Sequence, residues 1–287
     1  MCTASWFFHS QGYHLFFNRD EKQTRSRALP PSTVPTASGS VIMPIDPDGG
    51  GTWIGVNSSG WTYALLNNYQ GQIPDGKLTS RGSIVSRVLQ YRSIEQIAPL
   101  LGSLPLMEFA PFSLLCLAPP QTPISDKPEE QNDDGNVLRW NWDGQRLQRA
   151  VAHRLLTSSS RHFDLAQQSR MTQAVDFDLL RQGTVTTRNY LTADDVRDHK
   201  RRHRAFHHSH APARGAMSVC MHREDAGTVS YSEISVSPHR IQYDYTDSAP
   251  CCAGETLTIE LPVRREGSSY ACGDADTAPV AIAAVPG

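Results

Sequence analysis

The chain begins MCTASWFFHSQGYHLFFNRDE, residues 1–21, and this stretch predicts the first supersecondary unit of the fold. Residues 3–8 and 13–17 are aromatic and apolar, and the turn-forming residues Ser-Gln-Gly separate them. Two such runs around a short turn are typical of a β-hairpin. The hairpin therefore has a cysteine at its start and the charged run Asn-Arg-Asp-Glu at its end.

Cys2 directly follows Met1, and cysteine is small enough to allow removal of an initiator methionine. If Met1 is removed, Cys2 carries a thiol and a free α-amine, which titrate near ~8.5 and ~8 respectively. The amine can then act as the general base for the thiol, which predicts an N-terminal nucleophile. The alternative is that Cys2 is a small apolar residue at the start of a strand.

The composition indicates a soluble globular protein, because 39% of its 287 residues are hydrophobic and 20% are charged. A net charge of -2 and a pI near 6.6 give no reason to expect nucleic acid as a partner. No secretory signal and no apolar run of ~18 residues is visible. We therefore expect a cytoplasmic protein without a membrane span.

The six cysteines have no CxxC spacing, and two of them, Cys251 and Cys252, are adjacent. This spacing favours neither a zinc site nor a disulfide framework. The sequence therefore predicts no metal and no cofactor, and a structural role for the adjacent pair.

Strand patterns come first in the chain, helical patterns lie in the middle, and strand patterns return over residues 217–261. This order excludes a βαβ repeat and favours an α+β fold in which helices cover the outer faces of antiparallel sheets. Residues 22–38 have no periodicity and are predicted to form a loop. We expect one domain over residues 1–265, with a flexible insertion at 119–136 and a flexible tail at 266–287.

Three histidines, His199, His203 and His207, recur at four-residue spacing and share one face of a predicted helix. Such a face could bind metal or haem. Because lysine and arginine residues are interleaved with the histidines, a solvated basic face is the simpler interpretation.

Several motifs resemble the NRDE family, which is named for its Asn-Arg-Asp-Glu motif and includes transport and Golgi organisation protein two. The resemblance rests on Met1-Cys2-Thr3, on Asn18-Arg19-Asp20-Glu21, on GGTWIGVN at residues 50–57, on Leu65-Leu66-Asn67, and on SVCMH at 218–222 with GTVS at 227–230. The same N-terminal layout is similar to that of the cysteine N-terminal-nucleophile hydrolases, the choloylglycine hydrolase and penicillin V acylase group. The resemblance implies their fold, a four-layer αββα sandwich.

The resemblance also implies roles for individual residues. Cys2 matches the nucleophile, Arg19 and Asp20 match the pair that supports its thiol and amine, and Asn67 matches the oxyanion donor. Arg19 and Asp20 are adjacent here but are separated by two residues in those hydrolases, so one of the two side chains is expected to point away. The alternative for this pair is a structural ion pair.

Four further residues are weaker candidates for binding. Another Asn of the hydrolases would fall near Ser158 or Ser159, and their late Arg has Arg214 as its candidate counterpart. Asn18, the first residue of the motif, is also a candidate binding residue. Glu21 is expected to be a surface ion-pair partner rather than a catalyst.

The sequence thus predicts a cysteine amidohydrolase that cleaves a non-peptide carbon-nitrogen bond through an acyl-thioester on Cys2. The alternative is a non-catalytic haem or lipid trafficking protein that uses the same pocket. Accordingly, the expected partner is a small-molecule amide or a hydrophobic ligand.

Overall fold

A computed structural model describes residues 2–120, 136–150, 152, 154–180 and 191–264 of the chain. The predicted insertion at 119–136 lies outside the described residues except at its ends, and the predicted tail at 266–287 lies entirely outside them.

The described residues form two antiparallel sheets. The first sheet, sheet A, has six strands in the order β10-β1-β2-β11-β12-β13, and sheet B has seven in the order β3-β4-β5-β6-β7-β8-β9. The strands are β1 (Cys2–His9), β2 (Gly12–Lys22), β3 (Leu29–Thr36), β4 (Gly39–Ile45), β5 (Ile54–Asn57), β6 (Thr62–Asn67), β7 (Phe112–Leu117), β8 (Val137–Trp142), β9 (Leu147–Ala150), β10 (Leu155–Ser158), β11 (Ala226–Val236), β12 (Arg240–Thr246) and β13 (Thr256–Pro262).

The described residues also contain four α-helices and one 3-10 turn at Leu106–Glu108. They are α1 (Gly82–Val88), α2 (Ile94–Ser103), α3 (Phe163–Asp176) and α4 (Ala193–His208). Helices α1 and α2 pack on the outer face of sheet B, whereas α3 and α4 pack on the outer face of sheet A. The expected four-layer αββα order is therefore confirmed. Within the described residues, no helix is both long and apolar enough to cross a membrane.

Strand β1 illustrates why the central strands are apolar on both faces. Ala4, Trp6 and Phe8 point into the core between the sheets, while Phe7 packs outward with Phe16 of β2. Since side chains alternate along a strand, a sheet that is covered on both sides buries every position. The first eight described residues are accordingly buried almost without interruption.

The prediction of a loop over residues 22–38 is wrong, because β3 occupies Leu29–Thr36. This strand lies at the edge of sheet B and pairs only with β4 among the described strands. Proline donates no hydrogen bond to a ladder and is tolerated at an edge, where one side of the strand is unpaired. The sequence therefore did not indicate this strand, because it contains Pro30, Pro31 and Pro35 and has no apolar periodicity.

The strand predicted at the start of the 217–261 region is also absent, since residues 217–222 form bends and one isolated bridge. The backbone N–H groups of Cys220 and His222 donate to the carbonyls of Ser209 and Gly215, within the same connection. Local loop bonds thus replace a ladder, and the segment folds back on the end of α4.

Candidate active site

Cys2 lies at the start of β1, where that strand runs between β10 and β2. Its side chain belongs to the core between the two sheets and is only 8% exposed. Ser158 and Arg19 are its register partners on the two neighbouring strands. The backbone nitrogen of Cys2 donates a hydrogen bond to Ser158 Oγ at 2.8 Å. The nitrogen that would become the α-amine is therefore already held by a hydroxyl.

Burial raises the pKa of the Cys2 thiol, and the Asp20 carboxylate adds to this rise. A hydrogen bond from the Asp20 backbone and the charge of Arg19 both oppose it. The surroundings therefore hold the thiol in its neutral form unless a base takes the proton.

Arg19 is buried on the same face of the sheet as Cys2. Its guanidinium carbon lies 3.9 Å from the centroid of the Trp53 ring, in cation-π geometry. Its Nη2 atom lies 3.6 Å from Glu21 and 3.7 Å from Asp46. Glu21 is thus an ion-pair partner, as expected, and Arg19 is fixed from three sides beside the cysteine.

Asp20 points to the opposite face, towards α3. Its carboxylate accepts a hydrogen bond from Thr228 Oγ1 at 2.7 Å and lies 3.8 Å from Arg170 Nη2. Burial raises the pKa of Asp20, while Arg170 and the Thr228 hydroxyl oppose the rise. The expectation that one member of the Arg19 and Asp20 pair points away thus agrees with their placement. Only the backbone of Asp20 reaches the thiol.

Asn18 also faces outward, away from the Cys2 side chain. Its Nδ2 atom donates to the carbonyls of His207 at 2.9 Å and Val219 at 3.1 Å. The contacts of Asn18 tie β2 to the end of α4 and place it in the packing of the helix rather than beside the thiol.

Asn67 ends β6, which faces β1 and β10 across the interior. Its Nδ2 atom donates to the hydroxyl of Tyr69 at 2.8 Å. Burial raises the pKa of Tyr69; the bond from Asn67 opposes this rise, and the charge of Cys2 adds to it. Tyr69 therefore belongs to the electrostatic environment of Cys2, and Asn67 is linked to Tyr69 by its hydrogen bond.

Three residues of this environment are not indicated by the sequence. Tyr69 follows β6, Arg81 precedes α1 and Arg170 lies in α3. Burial lowers the pKa of both arginines, and in each the negative charge of the Cys2 thiolate opposes that effect.

Ser159 and Arg214 occupy different places. Ser159 donates to the carbonyl of Arg161 at 2.6 Å and so shapes the turn after β10. Arg214 lines a cavity of about 420 Å³ together with Arg19, and both Thr228 and Tyr245 contribute to its wall. A larger cavity of about 950 Å³ lies at the other end of β1, beside Gly12.

The prediction of a solvated face for the α4 histidines is wrong for His203 and His207, which are fully buried. Both contact Ser5 Oγ, at 2.7 Å from His203 Nδ1 and 2.8 Å from His207 Nε2. Burial lowers the pKa of both rings, so they pack as neutral groups. The arginines on the far side of the helix provide the basic face.

The family model described as transport and Golgi organisation 2 matches residues 1–176, which is more than half of the chain. The chain belongs to this family. The match to the transport and Golgi organisation 2 family runs from β1 to α3 and contains Cys2, Arg19, Asp20, Asn67 and Ser158. Among curated proteins, no sequence matches the chain.

Solved structures show a similar fold. A penicillin V acylase from Agrobacterium tumefaciens is 11% identical over 91% of this chain and 86% of the acylase, with a TM-score of 0.53. Two variants of a conjugated bile acid hydrolase from Clostridium perfringens are 14% and 13% identical, over 91% and 90% of this chain and 92% of the hydrolase, with TM-scores of 0.45 and 0.44. The match to the acylase shows that this member of the transport and Golgi organisation 2 family has a fold like that of the N-terminal-nucleophile hydrolases.

Proposed function

We propose that the protein is a cysteine amidohydrolase that cleaves a non-peptide carbon-nitrogen bond through an acyl-thioester on Cys2. One observation carries the proposal: the Cys2 nitrogen donates to Ser158 Oγ at 2.8 Å, while Arg19 flanks the same residue on the neighbouring strand. A thiol nucleophile and a positioned amine base within one residue are the minimum that acyl transfer through a thioester requires.

The reaction begins once removal of Met1 has made the Cys2 nitrogen an α-amine. The neutral amine accepts the thiol proton, and the thiolate attacks the amide carbonyl of the substrate. The tetrahedral intermediate collapses when its carbon-nitrogen bond breaks and the ammonium returns the proton to the leaving amine. Water then attacks the thioester, which releases the acid and restores the thiol.

Three groups support these steps. The Arg19 guanidinium stabilises the thiolate and offsets part of its burial cost. Ser158 Oγ accepts a hydrogen bond from the amine and so positions it, and the lone pair of the neutral amine is then free to take the thiol proton. Asn67 Nδ2 has two hydrogens and uses one on Tyr69, so the other can bind the oxyanion.

The proposal is tested by trapping the intermediate. Incubation with a panel of acyl amides, followed by acid quenching and peptide mass spectrometry, should show an acyl group on Cys2 that hydroxylamine removes. Cys2→Ser should lack this adduct, whereas Cys252→Ser, a variant of an exposed cysteine, should keep it. Acylation that persists in Cys2→Ser would contradict the proposal.

A second function, non-catalytic binding of haem or a lipid, is compatible with the burial of Cys2, which raises the pKa of its thiol. A carrier needs no nucleophile, so its affinity for haem would be the same in Cys2→Ser and in the unsubstituted protein. Haem titration that is followed by absorption distinguishes the two functions, because the hydrolase requires Cys2 and the carrier does not.

A further inference from the structure

Four side chains with metal-binding atoms converge outside the candidate active site. They are His210, Cys220, His222 and Cys251, and their ligand atoms all lie within 4.8 Å of one another. His210 and His222 belong to the connection after α4, as does Cys220, and Cys251 comes from the connection between β12 and β13. None of the four lies in the part of the chain that the family model matches.

Three of the six distances within this cluster are close to those of a tetrahedral site, and the others are at most 4.8 Å. His222 Nε2 lies 3.2 Å from His210 Nε2, 3.4 Å from Cys220 Sγ and 3.3 Å from Cys251 Sγ. Zinc bonds of about 2.0–2.3 Å place neighbouring tetrahedral ligand atoms about 3.3–3.8 Å apart. The cluster could therefore close around an ion with small side-chain movements.

The chemical types of the four ligands indicate which metal ion the cluster would bind. Two thiolates and two imidazoles form the Cys₂His₂ set of structural zinc sites, and two thiolates neutralise the charge of Zn²⁺. We propose that His210, Cys220, His222 and Cys251 bind one Zn²⁺ ion, with release of the two thiol protons. Four protein ligands fill the coordination sphere and leave no open position, so the ion is structural rather than catalytic.

The position of the proposed zinc site beside a cavity indicates what the ion would stabilise. His222, Arg214 and Cys252 line the cavity that also contains Arg19, and His222 lies at the metal cluster. Zinc would join the connection after α4 to the connection after β12 and so fix one wall of that cavity. This role does not depend on the proposed hydrolase activity, since a carrier would use the same wall.

One neighbour must move when the metal binds. Arg214 Nη2 lies 3.3 Å from His222 Nδ1, and an imidazole that binds zinc through Nε2 carries its proton on Nδ1. Because Arg214 is exposed, its guanidinium can turn to solvent at little cost. Arg214→Ala should therefore bind zinc at least as tightly as the unsubstituted protein.

Metal analysis of the reduced full-length protein tests the proposal. Elemental analysis should find one zinc per chain, and titration of the metal-free protein with Co²⁺ should produce thiolate-to-cobalt charge-transfer bands and the intense visible bands of tetrahedral cobalt. Cys251→Ser and Cys220→Ser should weaken zinc binding more than about a hundredfold, which exceeds the loss typical of residues behind the ligands.

Cys252→Ser is the matched control, because its Sγ atom lies 3.9 Å from that of Cys251 but outside the cluster. It should retain full zinc binding. Far-ultraviolet circular dichroism checks that every variant is folded, and Cys251, which is exposed, is the variant least subject to misfolding. Equal zinc affinity in all three cysteine variants would overturn the proposal, and so would a reduced protein that binds neither zinc nor Co²⁺.

Discussion

The side chains of residues 18–21 alternate between the two faces of β2, and the two faces make different contacts. Arg19 and Glu21 form an ion pair on the face of Cys2, whereas Asn18 and Asp20 bind groups of the outer helical layer. Because adjacent residues of a strand point to opposite faces, one short motif couples the candidate site to the packing of two helices. The structural ion pair that we considered for Arg19 and Asp20 is replaced by two separate pairs, Arg19 with Glu21 and Arg170 with Asp20.

Asp20→Asn should strongly destabilise the protein. Arg170 has no exposed side-chain surface, and removal of the partner carboxylate leaves its charge buried. Such a change costs about 3–5 kcal/mol in the free energy of unfolding. Glu21→Gln, which removes a partly exposed carboxylate from the same strand, should cost less than about 1 kcal/mol. Urea unfolding of both variants measures the difference, and equal losses would show that the Asp20 pair is not a buried charge pair.

Ser158→Ala should slow acylation of Cys2 without unfolding the chain. The variant loses the hydroxyl that holds the Cys2 nitrogen, so the amine is no longer oriented for proton transfer. Because the amine itself is retained, the rate should fall by up to about 10²-fold, the lower end of the contribution of a general base. Ser159→Ala is the control, because that hydroxyl bonds within its own turn. The rate at which an acyl amide acylates Cys2 measures the effect, and the two variants should not show the same rate.

Helix α4 docks on the sheet through a buried polar network rather than through an apolar stripe alone. His207 Nδ1 donates to Asn18 Oδ1 at 3.0 Å, so its Nε2 atom accepts from Ser5 Oγ. Ser5 in turn accepts from His203 Nδ1. The network fixes the rotation and register of the helix on the sheet, because every donor has one matching acceptor.

The free energy of unfolding should fall as the pH drops below about 6. Burial lowers the pKa of His207 to about 3, while an unfolded histidine titrates near ~6.5. The unfolded chain therefore binds a proton that the folded chain excludes. The stability that comes from neutral His207 is present above ~6.5 and is lost as the pH falls towards 3, by about 1.4 kcal/mol per pH unit.

His207→Gln tests this pH dependence. Urea unfolding between pH 7 and 5 should show a slope smaller by up to one proton than that of the unsubstituted protein. His208→Gln, which changes an exposed neighbour on the same helix, should leave the slope as it is. An unchanged slope in His207→Gln would show that His207 takes up its proton in the folded state.

At the scale of the whole molecule, local signals predicted most of the architecture. A short turn between apolar runs located the first hairpin, and the order of strand and helical patterns indicated helices on the outer faces of antiparallel sheets. Predictions from charge and periodicity were wrong where the placement of a residue depends on contacts with residues that are distant in the chain. The prolines of edge strand β3 led to the prediction of a loop. The lysine and arginine residues of α4 led to the prediction of a solvated face, although two of its histidines are buried against Ser5 of β1.

The candidate site shows the same limit. The proximity of Cys2 and Arg19 follows from the hairpin that pairs them, whereas Arg170 approaches Asp20 from a helix that lies 150 residues along the chain. The cysteines of the proposed zinc site show no local spacing, since Cys251 and His222 are 29 residues apart. Rules based on the spacing of cysteine and histidine detect metal ligands that lie close together in the sequence. They miss ligands that the fold brings together from different connections.

The intact mass of the protein, expressed with its own start and no N-terminal tag, tests the central claim most directly. If Cys2 is an N-terminal nucleophile, the mass corresponds to residues 2–287, and peptide mapping finds a free α-amine on Cys2. Met1 still attached to the folded protein would contradict the claim, because the Cys2 nitrogen that donates to Ser158 would then be a peptide amide and not a base.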